Sequence, residues 1–129
     1  MHLHSDRSFQ IWIFSVSHDQ LLIRSPKSKE NAENIDVAFF GVHLMDVAAG
    51  FIGLTVEDAT ASEVETVRPR QMAGDEGKVY ALISQGKRYL VVAAGIRVSR
   101  NTLGYSETDL DFMTFVKPGQ SIVEGQRQQ

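Results

Sequence analysis

At 129 residues, with 43% apolar and 22% charged positions, the chain has the size and composition of one soluble globular domain, and disorder of the whole chain is excluded. Its formal net charge is -3, from 13 basic and 16 acidic residues, and the basic residues are scattered, so the concentrated cationic face that nucleic acid requires is not encoded. The lack of cysteine removes disulfides, thiolate metal sites, iron–sulfur clusters and cysteine nucleophiles together, and it fits a cytoplasmic protein.

Residues 1–7 (MHLHSDR) are polar and without period, and read as a flexible N-terminal segment. Residues 8–17 (SFQIWIFSVS) are rich in aromatic and β-branched side chains and predict a strand. Phe9, Ile11 and Ile13 share one face of it, and Trp12, Phe14 and Val16 the other. The run is short and passes into a hairpin pattern, so it reads as a strand and not as a signal peptide. His18-Asp19 links it to a second strand at residues 20–25 (QLLIRS). A polar loop opens at Pro26. Residues 34–45 predict a third strand and residues 50–57 a fourth, with Gly53 at a bulge or a close backbone approach.

Thr60-Ala61-Ser62-Glu63 has the spacing of a capping box, Val64 and Val67 share a helical face, and Pro69 stops the pattern, so residues 61–68 predict one short helix. Residues 78–84 (KVYALIS) and 88–99 (RYLVVAAGIRVS) form a hairpin through Gln85-Gly86-Lys87, where Gly86 can take the positive φ of a tight turn. Gly95 is expected at a bulge in the longer arm. A loop at residues 101–108, a last strand at 109–117 (DLDFMTFVK) and a flexible tail at 119–129 complete the chain. The sum is a mainly β fold of about seven strands and one short helix, over a single domain of residues 8–118. An antiparallel sandwich or a curled sheet or barrel is expected. No stretch approaches the roughly 20 apolar residues of a membrane-spanning helix, so no membrane role is expected.

The run WIFSVSHDQLLIRS (residues 12–25), followed by Ile35-Asp36-Val37-Ala38-Phe39 and later by Tyr89-Leu90-Val91-Val92-Ala93, resembles a group of small uncharacterised bacterial proteins. The resemblance implies a compact bacterial domain. It brings no activity, so no functional residue is carried over from it.

Three strands are apolar on both faces, whereas a sheet with one face in water alternates apolar and polar positions. One short helix cannot cover all of them. The second face therefore needs a partner copy, a long loop, or a ligand inside a barrel. A homo-oligomer, most simply a dimer, is expected to bury part of Trp12, Phe14 and Phe40.

His43 shares a strand face with Ile35, Val37 and Phe39, where a histidine usually serves packing. Asp46 and the pair Glu57-Asp58 fall at strand ends and could meet a histidine at one rim. His43, Asp46, Glu57 and Asp58 are therefore the candidate ligand-binding set. His2 and His4 sit in the segment expected to be flexible, and no metal site is assigned to them. His18-Asp19 lies at a turn with no nucleophile elbow nearby, and Gly74-Asp75-Glu76-Gly77-Lys78 leads into a strand, unlike a phosphate loop. No catalytic residue and no cofactor is assigned. The leading expectation is a non-enzymatic protein-interaction or ligand-binding module. The alternatives are a small hydrolytic or metal-dependent enzyme using His43, and a barrel that holds an apolar small molecule.

Overall fold

The structure is a computed structural model that describes residues 1–72, 77–108 and 110. Six strands run β1 (Leu3–Ser15), β2 (Gln20–Ser25), β3 (Asn34–Asp46), β4 (Gly50–Asp58), β5 (Lys78–Ser84) and β6 (Lys87–Asn101). Helix α1 (Ala61–Val67) and a single 3-10 turn (Arg68–Arg70) lie between β4 and β5. The strands form a closed antiparallel barrel in the order β1-β2-β3-β6-β5-β4, with β4 pairing back onto β1. The mainly β antiparallel fold expected from the sequence is thus realised as a barrel. The strand predicted at residues 109–117 and the tail predicted at 119–129 lie outside the described residues, Leu110 excepted.

β1 closes the ring because it serves two neighbours in turn. Its first half pairs with β4, from Leu3↔Val56 to Gln10↔Gly50, and its second half with β2, from Gln10↔Arg24 to Ser15↔Gln20. Residues 3–7 are therefore strand and not a flexible segment. Leu3 is buried, while His4 and Asp6 face water. Their order comes from a partner some fifty residues away, which local composition does not reveal.

The interior is filled by side chains, among them Phe9, Leu21, Ile23, Phe39, Leu54, Tyr80, Leu82 and Val91. Two further apolar clusters lie on the outside. On β5 and β6, Val79 and Val92 pack beneath Val67 of α1, with Leu44, Val64 and Leu90 at the margin. Thr60 caps α1 in a full capping box with Glu63. Seven residues are too few for a stable isolated helix. Burying Val67 contributes roughly 2 kcal/mol against about 1 kcal/mol for the cap, so docking decides where α1 sits. On β2 and β3, Leu22 and Ala38 pack with Leu110, alongside Trp12, Ile13 and Phe40. Part of the second apolar face is thus covered by α1 and by Leu110.

The β5–β6 turn carries positive φ at Gln85 (50°) and Gly86 (75°), as its spacing requires. The bulge between β3 and β6 falls between Val42 and Leu44, at His43, and not at Gly95 as the sequence suggested.

Candidate functional site

The four residues nominated from sequence do not converge. His43 is the extra residue of the β3 bulge and is exposed, which explains a histidine in an apolar strand without assigning it to packing. Asp46, at the end of the same strand, pairs with Arg70 at 3.2 Å. Glu57 and Asp58 lie on β4, separated from β3 by two strands in either direction around the ring. Glu57 meets Arg88 at 3.4 Å. Arg88 also donates to both carboxylate oxygens of Glu63, each at 2.9 Å. This bond, more than any other cause, holds the Glu63 carboxyl down at about 2. Asp46 and Glu57 therefore belong to the set of ion pairs that tie α1 and its 3-10 turn onto the barrel.

Asp58 does meet a histidine, but it is His2. The His2 Nε2 lies 2.8 Å from Asp58 Oδ1, and Lys78 Nζ lies 2.9 Å from Oδ2. The His2 contact first, then Lys78, lowers the Asp58 carboxyl below the ordinary aspartate value, and Asp58 in turn raises the Lys78 ammonium. Beneath them the Tyr80 ring packs edge-on to His2 and to Phe39, and burial raises its phenol above the usual value. With the N–H of His2 donating to Val56 at 2.8 Å, this group fastens the N-terminus to β4. Among the described residues no three histidine or carboxylate side chains come together as a metal site. His18 Nδ1 lies 3.1 Å from Ser15 Oγ and 3.0 Å from Ser17 Oγ, all within the β1–β2 turn, where such contacts brace a turn.

A buried polar cluster that was not nominated from sequence joins β2, β3 and β6. Arg24 and Asp36, on adjacent strands, are fully buried and joined by two bonds of 2.7 and 2.9 Å. Asn101 donates a third to Asp36 at 2.8 Å, and Asn34 donates to Asn101 at 2.7 Å. Above this cluster, four successive carbonyls after β6 each accept one side-chain bond. Lys27 Nζ reaches Thr102 at 2.6 Å, Asn34 Nδ2 reaches Leu103 at 2.9 Å, Arg24 Nη1 reaches Gly104 at 3.4 Å and Trp12 Nε1 reaches Tyr105 at 3.1 Å. The barrel thereby holds residues 102–105 as a strap. The available signal was an arginine closing the apolar run of LLIRS and an aspartate set between apolar neighbours in NIDVAF.

Of the three side chains expected at an interface, Trp12 and Phe40 join the cluster containing Leu110 and are half-buried, and Phe14 remains 36% exposed.

Three open depressions that share lining residues lie along β1. The central one, of about 590 Å³, has Ser8 and Gln10 in its lining together with Pro26, Phe51 and Ile52. It shares Ser8 and Pro26 with a depression of about 240 Å³ that contains Arg7, Ser25 and Asn31. It shares Gln10 with one of about 260 Å³ that contains Trp12, Ile13 and Tyr105. The depression beside Arg7 opens where β1 and β2 part company beyond Gln10↔Arg24, where β2 ends and Pro26, which has no N–H to donate, follows. Arg7 bridges the parted strands, donating to the carbonyls of Ser25, Pro26 and Glu33 at 2.9–3.1 Å.

No protein-family model, curated protein or solved structure matches the chain.

Proposed function

We propose that the protein is a non-enzymatic binding module that takes up an extended partner segment across the depressions along β1. The succession of three depressions from Arg7 to Ile13, which share Ser8, Pro26 and Gln10 in their linings, carries this reading. Six residues of strand span roughly 20 Å, room for about six residues of an extended ligand. The lining of the central depression is largely apolar, with Ile52 65% exposed, and polar groups stand at both ends, the usual make-up of a recognition site. The carboxylates nominated for chemistry are already committed to ion pairs. The packed barrel interior favours an external ligand over an enclosed one. The resemblance to small bacterial proteins carries no activity, and the lack of cysteine supports a reducing compartment such as the cytoplasm.

A peptide-display selection on the wild-type protein, counter-selected on Ile52→Asp, tests the proposal. Enrichment of sequences that require Ile52 is expected. Equal recovery on both proteins contradicts it.

Self-association is the second reading, favoured by the exposure of Phe14 (36%) and Val16 (77%) near the end of β1. Light scattering at micromolar concentration distinguishes a dimer from a monomer.

A further inference from the structure

We infer that the open edge of β1 at residues 12–15 pairs with the same edge of a second copy of this chain, antiparallel and about a twofold axis. This rests on the self-association reading above and names the strand that makes the contact.

A strand paired on one side only offers a row of N–H and C=O groups that another extended chain can satisfy. β1 changes neighbours at Gln10, which meets Gly50, its last partner on β4, and Arg24, its first on β2. Beyond Gln10 the β4 side is held by a single bond, from the Ile11 N–H to the Ala49 carbonyl at 2.9 Å. The stretch 12–15 then pairs with β2 alone. Among the described residues its backbone makes no further bond, save the turn contact that Ser15 accepts from His18. This edge is unguarded. The run IWIFSVS (residues 11–17) holds neither charge nor proline, and Phe14 and Val16 are 36% and 77% exposed beside it. The other stretches paired on one side are blunted. Residues 3–9 of β1, on the β2 side, carry Asp6 and Arg7, and Arg7 covers the Ser25 and Pro26 carbonyls. β4 before Thr55 is turned by the positive φ of Gly53, and Ser84 Oγ occupies the Ile52 carbonyl. β3 beyond Phe40 is bulged at His43, and β6 beyond Ala93 carries Arg97 and Arg100. Charge, bulges and side-chain caps are the usual means of keeping an edge from pairing. The occupant of the remaining edge has to be extended backbone. A second copy fits it, because two identical edges about a twofold satisfy each other and leave none open, whereas a foreign strand exposes its own far edge. Centred near Ile13, this register sets Trp12 opposite the partner's Phe14, an aromatic cross-strand pair. An edge of roughly 14 Å buries less than the roughly 800 Å² per partner of a standard interface, so the dimer is weak, with a micromolar dissociation constant.

Sedimentation velocity and backbone amide hydrogen exchange of the 129-residue chain, each over a concentration series, test the pairing. A monomer–dimer equilibrium in the micromolar range is expected. Those amides of residues 12–15 that face away from β2 should exchange roughly tenfold more slowly in the dimer, since pairing, unlike side-chain contact alone, bonds them. Phe14→Lys adds the kind of charge that guards other edges and is expected to weaken the dimer by roughly tenfold or more. Met45→Lys, at an apolar position of similar exposure on β3 (39%), is expected to leave it unchanged. Circular dichroism confirms that each variant is folded, and the exchange measurement needs no substitution. A dimer whose amides at residues 12–15 exchange as fast as in the monomer, or one that Phe14→Lys does not weaken, overturns the edge pairing and leaves self-association in place. A chain that stays monomeric throughout overturns both. If randomised hexapeptides then slow the same amides, the edge takes a foreign strand and the second-copy assignment falls.

Discussion

Asp36→Ala is expected to be among the most damaging single substitutions in the barrel. Its carboxylate is fully buried and accepts three bonds, two from Arg24 and one from Asn101. Removing it strands a guanidinium that is itself 0% exposed. Breaking a buried pair from one side costs about 3–5 kcal/mol, because the remaining charge has no water to turn to. The Asn101 amide also loses an acceptor, adding about 1 kcal/mol. A domain of this kind is stable by roughly 5–15 kcal/mol, so a loss of about 4–6 kcal/mol removes a large share of it. With a urea slope of roughly 2 kcal/mol/M, the unfolding midpoint should fall by about 2–3 M. Trp12 is the natural probe, since Arg24 lies 5.4 Å from its ring centroid. The double variant Arg24→Met/Asp36→Leu separates charge burial from packing and should recover at least half of the loss, as removing both charges leaves neither stranded. A midpoint change in Asp36→Ala corresponding to less than about 1 kcal/mol, the value of an exposed pair, would refute the reasoning.

Three further outcomes follow from the same geometry. Glu63 is held at about 2 in the folded protein, below its ordinary 4.5, so its contribution is present above about pH 4.5 and is lost as pH falls towards 2. The stability gap between wild type and Arg88→Ala should therefore close between pH 5 and pH 2 in urea titrations, and a constant gap would contradict the assignment. Gly41→Ala should cost more than the roughly 1–2 kcal/mol of a left-handed alanine, because φ is +63° and the new Cβ would lie 2.8 Å from the Ala94 Cβ. Gly86→Ala, at φ +75° with open space around it, should cost only the backbone strain, and equal midpoints for the two variants would argue against the close approach. Thr60→Ala removes the α1 cap and should cost about 1 kcal/mol by thermal or urea unfolding.

Most of the fold was legible because its signals are local. β2 and β5 start and stop where turn residues and apolar runs predict. The capping box places the start of α1, and Gly86 places the tightest turn. Local signals failed where order is imposed from a distance. Residues 3–7 look like a tail, yet pairing with β4 makes them strand. The two-faced strands correctly called for a cover, but sequence cannot say which segment supplies it. The loop predicted at residues 101–108 proves to be the strap, fixed by main-chain carbonyls whose bonding leaves no trace in side-chain identity. The candidate site was the least legible part. The idea that a rim carboxylate meets a histidine holds for Asp58, but the partner is His2, because ring order keeps His43 on β3 apart from β4.

The most direct test of the binding reading is backbone amide NMR of the 129-residue chain during titration with a pool of randomised hexapeptides. Saturable shifts are predicted at Arg7, Ser8, Gln10, Trp12, Ile52 and Tyr105, with Asp46, Asp58 and Lys78 unmoved. Shifts centred on Asp58 and Lys78, or none at all, would contradict it.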